Sequence, residues 1–464
     1  MGKHSKVLTE IIVNTTASET RVAILEDHRL VEFFAEREES ARIVGNLYKG
    51  RVNAVLPGMQ AAFVDIGLEK TGFLHVSDMI LDDVEGDERT TRSRKVPRNV
   101  SIDQLLRKGQ EILVQVTKEP IGTKGPRITT QVSLPGRFVV VMPNVTHIGV
   151  SRKIEDRDER TRLRALVEEV SPKGYGVIVR TVGKKTDEKA IKTDIETLIS
   201  KWKKVQGAYA RKSTPSLLHQ DAELTTGIIR DIFTDEVDRL IIDSKTEYKA
   251  IIKYLQSISP ELIDRVEHYE EEAPIFDAYE IEAEIEKALS PKIWLRKGGY
   301  IIVDHAEALV AIDVNTGRFT GDKNQEETIV QTNIEAAKEV ARQLRLRDMG
   351  GIIVIDFIDM EREDNKSKVI ETLRDALRRD RAKTRTFAVS DLGLVEMTRQ
   401  RVRPSLLHYF SSNCPHCGGS GKRLSLASLA AKVDRLLRRT GTYCEDKKVE
   451  IQLNPELALF FDES

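Results

Sequence analysis

Two short apolar runs in this chain each end in acid, Ala308 to Asn315 (ALVAIDVN) and Gly351 to Asp359 (GIIVIDFID). Branched apolar residues in such unbroken series predict short, fully buried strands. A carboxylate ending such a strand is unfavourable unless a positive charge meets it. Asp313 and Asp356 are therefore candidates to share one cation, and Asn315, two residues past Asp313, projects from the same face of its strand. Hard oxygen donors of this kind suit Mg2+, with Mn2+ able to substitute. The competing reading makes each acid a helix cap or a loop residue just beyond a strand end. A second group is the CxxC at Cys414 and Cys417, which supplies half of a tetrahedral zinc site. Cys444 is the only other cysteine, so four thiolates cannot come from one chain. Zinc shared between two subunits, a mixed site using His416 or Cys444, and no metal all stay open. A redox pair is disfavoured, because no thioredoxin-like βαβ pattern surrounds the motif. The third group is Arg180 and Thr181, ending the strand-like GYGVIVRTVG. A guanidinium fork beside a hydroxyl can hold a terminal phosphate, and can equally be an ordinary strand edge.

The elements that must position these groups cannot form one core, since 464 residues predict about two to four folded units. Basic and acidic residues number 73 and 74, so a net charge of -1 gives no global field for nucleic acid, and any such binding must be local. No run is long enough to span a membrane, and the N-terminal MGKHSKVLTEIIVN lacks a signal-peptide core. Three cysteines in so long a chain fit a reducing, cytoplasmic setting.

Glu10 to Val31 predicts two strands about a turn at Glu26, Asp27 and His28, which must pair with a later segment to be stable. From Asn46, short strands separated by glycines predict a small closed β unit. Through Gly50, Val52, Gly58, Phe63, Gly67, Gly72, Phe73, His75 and Ser77 it resembles the S1-type OB barrel that binds RNA. Phe63 and Phe73 on its outer face would stack on bases at about 1–3 kcal/mol each, or else belong to its core. Lys118 and Lys124 can serve RNA phosphates or be plain surface lysines. An acidic then basic loop, Ile80 to Leu106, interrupts the barrel. PGRFVVVMPNVTHIGV predicts a strand pair, followed by helices from Ile154 and over Asp187 to Ala208. Glu223 to Leu289 alternates helix and strand and can accept the N-terminal strands, making the barrel and the Arg180 region an insertion. After Pro291, KIWLRKGG, YIIVDH and ALVAIDVN predict an antiparallel meander, and helix Gln325 to Arg347 forms a crossover into the second acidic strand. A helix over Asn365 to Arg381 follows, and after the cysteines a helix (LASLAAKVDRLLRR) and a strand (VEIQLN).

At AIDVNTG, RQLRLRDMGGIIVIDFIDM, GLVEMTRQR and CPHCGGSG the chain resembles the ribonuclease E/G family, nearer its G branch, over essentially its whole length. The resemblance implies a multidomain α/β protein. Its parts would be a split ribonuclease-H-like domain (1–41 and 225–289), an S1-type OB domain (42–130), a 5′-sensor domain (131–224), a DNase-I-like catalytic domain (290–410), a zinc link (411–424) and a small domain (425–464). The end at Ser464 comes early for that last domain, which is expected to be shortened, and no scaffolding tail is implied. The implied activity is an Mg2+-dependent endoribonuclease that hydrolyses single-stranded A/U-rich RNA, stimulated by a 5′-monophosphate. Its substrates would include ribosomal RNA precursors and mRNA.

Residue by residue, the resemblance makes Asp313 and Asp356 the catalytic metal ligands and Asn315 the residue that orients Asp356. It makes Gly136, Val140, Arg152, Arg180, Thr181 and Lys383 the 5′-phosphate sensor, with Lys383 standing where the E branch has arginine and losing its fork. Phe63, Phe73 and Lys124 become RNA contacts of the barrel. Cys414 and Cys417 become half of a Zn2+ link shared by two subunits of a homodimer or homotetramer. The alternative is a non-catalytic RNA-binding or ribosome-associated scaffold using the barrel alone, which has no need of two acids at strand ends.

Overall fold

The computed structural model describes residues 7–37, 42–79, 100–120, 124–221, 224–317, 325–390, 392–401, 403–441 and 450–462. The chain forms two compact units, Met1–Leu406 and Leu407–Ser464. Among the described residues the first unit contains four sheets.

The first sheet unites the two ends of an interrupted segment. Strands Thr9–Thr15, Glu19–Glu26 and Arg29–Arg37 form a meander, and Thr9–Thr15 also runs parallel to Arg239–Ile242, beyond which lies Val266–His268. The late partner expected for the N-terminus is therefore present, but the expected two strands are three. Asp27 and His28, both at positive φ, turn between the second and third strands, and the small residues Thr16, Ala17 and Ser18 separate the first two. Ile11, Val13, Ile24, Phe233, Leu240 and Leu255 form the core on one side.

Leu47–Leu56, Ala61–Asp65, Gly72–His75, Arg127–Thr129 and Glu111–Lys118 make a barrel. It closes because the first strand pairs with both Ala61–Asp65 and Glu111–Lys118. Gly50 permits the tight curvature of that long strand, since a Cβ there would fall 2.6 Å from Val64 Cγ1. Strand Ser216–His219, from the segment that follows the barrel, adds to the outside edge of the same strand. Most of the predicted charged loop, 80–99, lies outside the described residues.

The third sheet runs Ile148–Val150, Tyr175–Val179, Val139–Pro143, Leu134–Pro135. The two strands predicted to pair within PGRFVVVMPNVTHIGV are thus separated by Tyr175–Val179, parallel to one and antiparallel to the other. Helices Arg157–Val170 and Glu188–Arg211 pack Leu163, Val167, Ile195, Leu198 and Trp202 into its core. Each has an aspartate cap, Asp156 accepting from two backbone N–H groups and Asp187 from Ala190.

The fourth sheet carries the acidic strands. Its order is Lys292–Trp294, Tyr300–His305, Leu309–Asn315, Gly351–Asp356, Leu394–Arg399, Thr384–Val389. The predicted meander forms, and helix Gln325–Leu346 crosses over to place Gly351–Asp356 parallel to Leu309–Asn315. This helix and Glu363–Leu377 cover one face, where Ile301, Val303, Ile312, Val314, Ile353 and Ile355 are buried. The other face is open, with Ile352 52% exposed and both terminal aspartates exposed. The acidic strands are therefore half-buried rather than fully buried. A continuous apolar run cannot say whether helices cover one face or both.

The second unit contains helices Leu426–Gly441 and Pro455–Asp462. The strand predicted over VEIQLN is absent at residues 450–454, and the apolar PELALFFD forms a helix opened by its proline instead. No helix among the described residues is long and apolar enough to cross a membrane.

Candidate active site

The two acids meet through strand register. Asp313 stands directly opposite Asp356 on adjacent parallel strands, on the open face, so their backbones are about 4.8 Å apart. Because neither is buried, the argument for a cation changes: like charges directly opposite one another repel, and a shared positive ion removes the repulsion. Among the described residues no lysine or arginine forms an ion pair with either. Asn315 Nδ2 donates to Asp313 Oδ2 at 2.7 Å. It therefore steadies Asp313, its same-face neighbour at i−2, and not Asp356 as the resemblance implied.

Asp356 is steadied from behind. Asn333, wholly buried on the crossover helix, donates from Nδ2 to Ile358 O at 2.8 Å and accepts from Ile358 N at 3.1 Å. This clamp fixes the chain two residues beyond the acid. Its signal in the sequence is an amide among the apolar positions of that helix. The next row of the open face holds Asp304 and Glu396, also exposed. At the sheet edge Lys292 Nζ lies 4.2 Å and 3.7 Å from the ring centres of Trp294 and Tyr300. The face is thus acidic at its centre, which disfavours a phosphate backbone until a cation is bound. Two carboxylate donors suit a hard divalent ion, and the described residues hold no cluster of three or more metal-binding side chains, so such an ion keeps much of its water.

The phosphate-sensor candidates come together in part. Arg180 Nη1 donates to Gly136 O at 2.7 Å and lies 2.6 Å from Asp231 Oδ1. Thr181 Oγ1 lies 3.0 Å from Ser151 Oγ. Gly136 is needed where it is, because a Cβ would fall 2.5 Å from both carboxylate oxygens of Asp194. That carboxylate, its pKa raised by burial, accepts from the backbone N–H groups of Phe138 and Val139. Val140 is half-buried on the same sheet, paired with Pro135 and Ile178. Arg152 is exposed in a groove beyond Ser151. Lys383 is exposed, and among the described residues it makes no hydrogen bond or ion pair with this group. Asp231 was missed by sequence reasoning. Burial raises its pKa, but hydrogen bonds and charge from Arg230, then Arg180, outweigh burial and hold it below the ordinary carboxylate value. Its one signal is an Arg-Asp pair ending helix Leu224–Asp231.

On the barrel, register aligns a row. Phe63 pairs with Phe73, Phe73 with Arg127, and Arg127 with Lys118. The two rings meet edge to face at 5.9 Å, half-buried and outside the barrel core. Lys118 and Lys124 are exposed. Arg127, not singled out from sequence, is ion-paired to Asp78 at 2.7 Å.

In the second unit Cys414 is exposed and Cys417 half-buried, both as free thiols. Gly421 N donates to Cys417 Sγ at 3.3 Å, in a turn where Gly418, Gly419 and Gly421 have positive φ. N–H groups of Gly421 and Gly419, then the Cys414 side chain, lower the Cys417 pKa, as suits a metal thiolate. His416 and Cys417 line one 430 Å³ cavity, and Cys444 lies outside the described residues.

Comparison with known proteins agrees on the barrel and on the family of the segment that follows it. Residues 133–402 match the ribonuclease E/G family, and residues 43–129 match the S1 RNA binding domain. Ribonuclease G of Escherichia coli is 42% identical over 451 residues, spanning 97% of this chain and 91% of the relative. Ribonuclease G of Haemophilus influenzae is 42% identical over 449 residues, with the same coverage of each. Ribonuclease E of Nostoc sp. is 40% identical over 417 residues, covering 88% of this chain and 59% of the relative. With a family match over more than half its length and relatives alignable almost end to end, the chain belongs to the ribonuclease E/G family.

Proposed function

We propose that the protein is a metal-dependent endoribonuclease that hydrolyses phosphodiester bonds in single-stranded, A/U-rich RNA. The observation that carries this reading is the register pairing of Asp313 with Asp356 on an open sheet face. A Mg2+ or Mn2+ ion held by these two carboxylates supplies charge neutralisation at the scissile phosphate and a more acidic water. Asn315 holds one oxygen of Asp313 and leaves the other free. Asn333 fixes the chain beyond Asp356, so both acids are preorganised. The open face admits a single strand, whose bases stack on Phe63 and Phe73 while Lys118, Lys124 and Arg127 meet phosphates.

Arg180 and Thr181, with Gly136 and Val140, form the 5′-monophosphate pocket, and a held 5′ end raises the local concentration of the cleavage site. Arg152 and Lys383 are its outlying members. Cys414 and Cys417 bind Zn2+ with the same pair from a second copy, giving a homodimer or homotetramer. The biological setting is cytoplasmic processing of ribosomal RNA precursors and decay of mRNA. Asp313→Asn and Asp356→Asn, assayed separately on a 5′-monophosphorylated oligonucleotide at saturating Mg2+, should each lose cleavage while keeping RNA binding in EDTA. Full activity in either variant overturns the reading.

A further inference from the structure

Beside the 5′ pocket, and sharing Arg152 with it, lies a groove of 620 Å³ whose other lining residues the proposed reaction does not use. One wall is strand Ile148–Val150, an edge strand paired only with Tyr175–Val179, so alternate backbone N–H groups face away from its sheet. The other wall is helix Arg157–Val170, where Arg157, Arg160 and Arg164 share one face at i, i+3 and i+7. Arg152 and His147 complete the basic lining, and no carboxylate is among the lining residues. Two nearby acids are engaged elsewhere. Asp156 caps the helix, and Glu159 is held by Arg162 and the Lys185 N–H, with its pKa drawn down to about 2. Arg164 has only an exposed partner, Glu168 at 3.4 Å, a pairing of little net strength. Arg160 Nη1 donates to the carbonyls of Ser151 and Ile154, anchoring the floor of the groove. Ser151 touches Thr181, so groove and 5′ pocket share a boundary.

We infer that this groove binds the phosphodiester backbone of single-stranded RNA, as an anchor separate from the 5′-terminal phosphate. Arg157 and Arg164 present their guanidinium groups to one concave surface without a lining acid, with Arg160 fixed behind them and Arg152 at the boundary with the 5′ pocket. An entering anion relieves their mutual repulsion, and guanidinium pairs with phosphate through two parallel bonds. The inference rests on the reading that the protein acts on RNA, but not on cleavage. A backbone contact is indifferent to the 5′ end and strongly dependent on salt.

The test measures binding of a 5′-hydroxyl single-stranded oligonucleotide in EDTA across a salt series, with the full chain and its Arg157→Gln/Arg164→Gln variant. Two lost phosphate contacts should lower the slope of log affinity against log salt by about 1.4, at ~0.7 per contact for a single strand. The ratio of cleavage rates for 5′-monophosphate and 5′-hydroxyl RNA should not change. If the double variant melts early, Arg157→Gln alone should lower the slope by about 0.7. An unchanged slope and affinity overturns the inference, as does a loss confined to 5′-monophosphorylated RNA or to duplex RNA. A wild-type protein that binds but never cleaves sinks the proposed reaction and leaves the groove standing.

Discussion

At the scale of single residues, hydrogen bonds decide which side chain supports which. Because Asn315 is bonded to Asp313, Asn315→Ala should raise the Mg2+ concentration needed for half-maximal cleavage by about 10–100-fold, the usual effect of losing a ligand's hydrogen-bond partner. An Mg2+ titration at fixed RNA reads this, and RNA affinity in EDTA should not move. Asp231 offers a pH test. Its folded pKa is depressed, so its pairing with Arg180 and Arg230 stabilises fully above the unfolded value of about 3.9 and is lost as pH falls through the lower folded value. Melting midpoints of wild type and Asp231→Asn should differ from neutral pH down to about 4 and converge below it. A difference that vanished already at pH 6 would show that another group carries the effect.

At the scale of elements, the crossover helix Gln325–Leu346 does two jobs. Toward the active sheet it contributes the Asn333 clamp, and Asn333→Ala would leave the Ile358 N–H and C=O without their partner. A loss of about 1–3 kcal/mol is expected in denaturant unfolding, together with a lower kcat at unchanged RNA affinity. Toward the N-terminal sheet it contributes Arg345, which bonds Glu26 and Glu32 with little exposure. Arg345→Met would take the least exposed cationic partner from both carboxylates and leave Arg379 on Glu26 and Arg381 on Glu32, and about 1.5–3 kcal/mol of stability should be lost. This pairing ties the sheet built from both parts of the interrupted segment to the helix behind the acids. Cleavage should therefore fail together with stability on heating Arg345→Met, whereas Asn333→Ala should impair cleavage below its melting range.

At the scale of the whole molecule, near-zero net charge leaves function to local surfaces. The acidic open face, the barrel row and the arginine groove are separate patches with opposite preferences for phosphate. The second unit exposes Leu436, Leu437, Leu459 and Phe461 and carries two free cysteines, half of a tetrahedral zinc site. If zinc joins two chains, metal analysis should give about half an ion per chain. Cys414→Ser should abolish that zinc and lower the mass seen by sedimentation, while binding of a short RNA to the barrel persists. Unchanged mass and zinc content would exclude the shared site.

The sequence alone determined the element types and the chemistry available to them. Apolar period and glycine spacing marked the barrel, the meander and the crossover helix, because those patterns reflect local burial and turn geometry. It also marked Asp313, Asp356, Arg180 and the cysteine pair by residue type. Tertiary structure decided what sequence cannot encode locally. The helices cover one face of the acidic sheet and leave the aspartates exposed, a matter of packing between distant segments. Register, set by long-range hydrogen bonding, places Asp313 opposite Asp356 and Phe63 opposite Phe73. Asn333, Asp231 and Arg127 entered only with the structure, since each acts on a partner more than 20 residues away. The third N-terminal strand and the C-terminal helix at Pro455–Asp462 were missed because short apolar runs fit strand and helix alike until their neighbours choose.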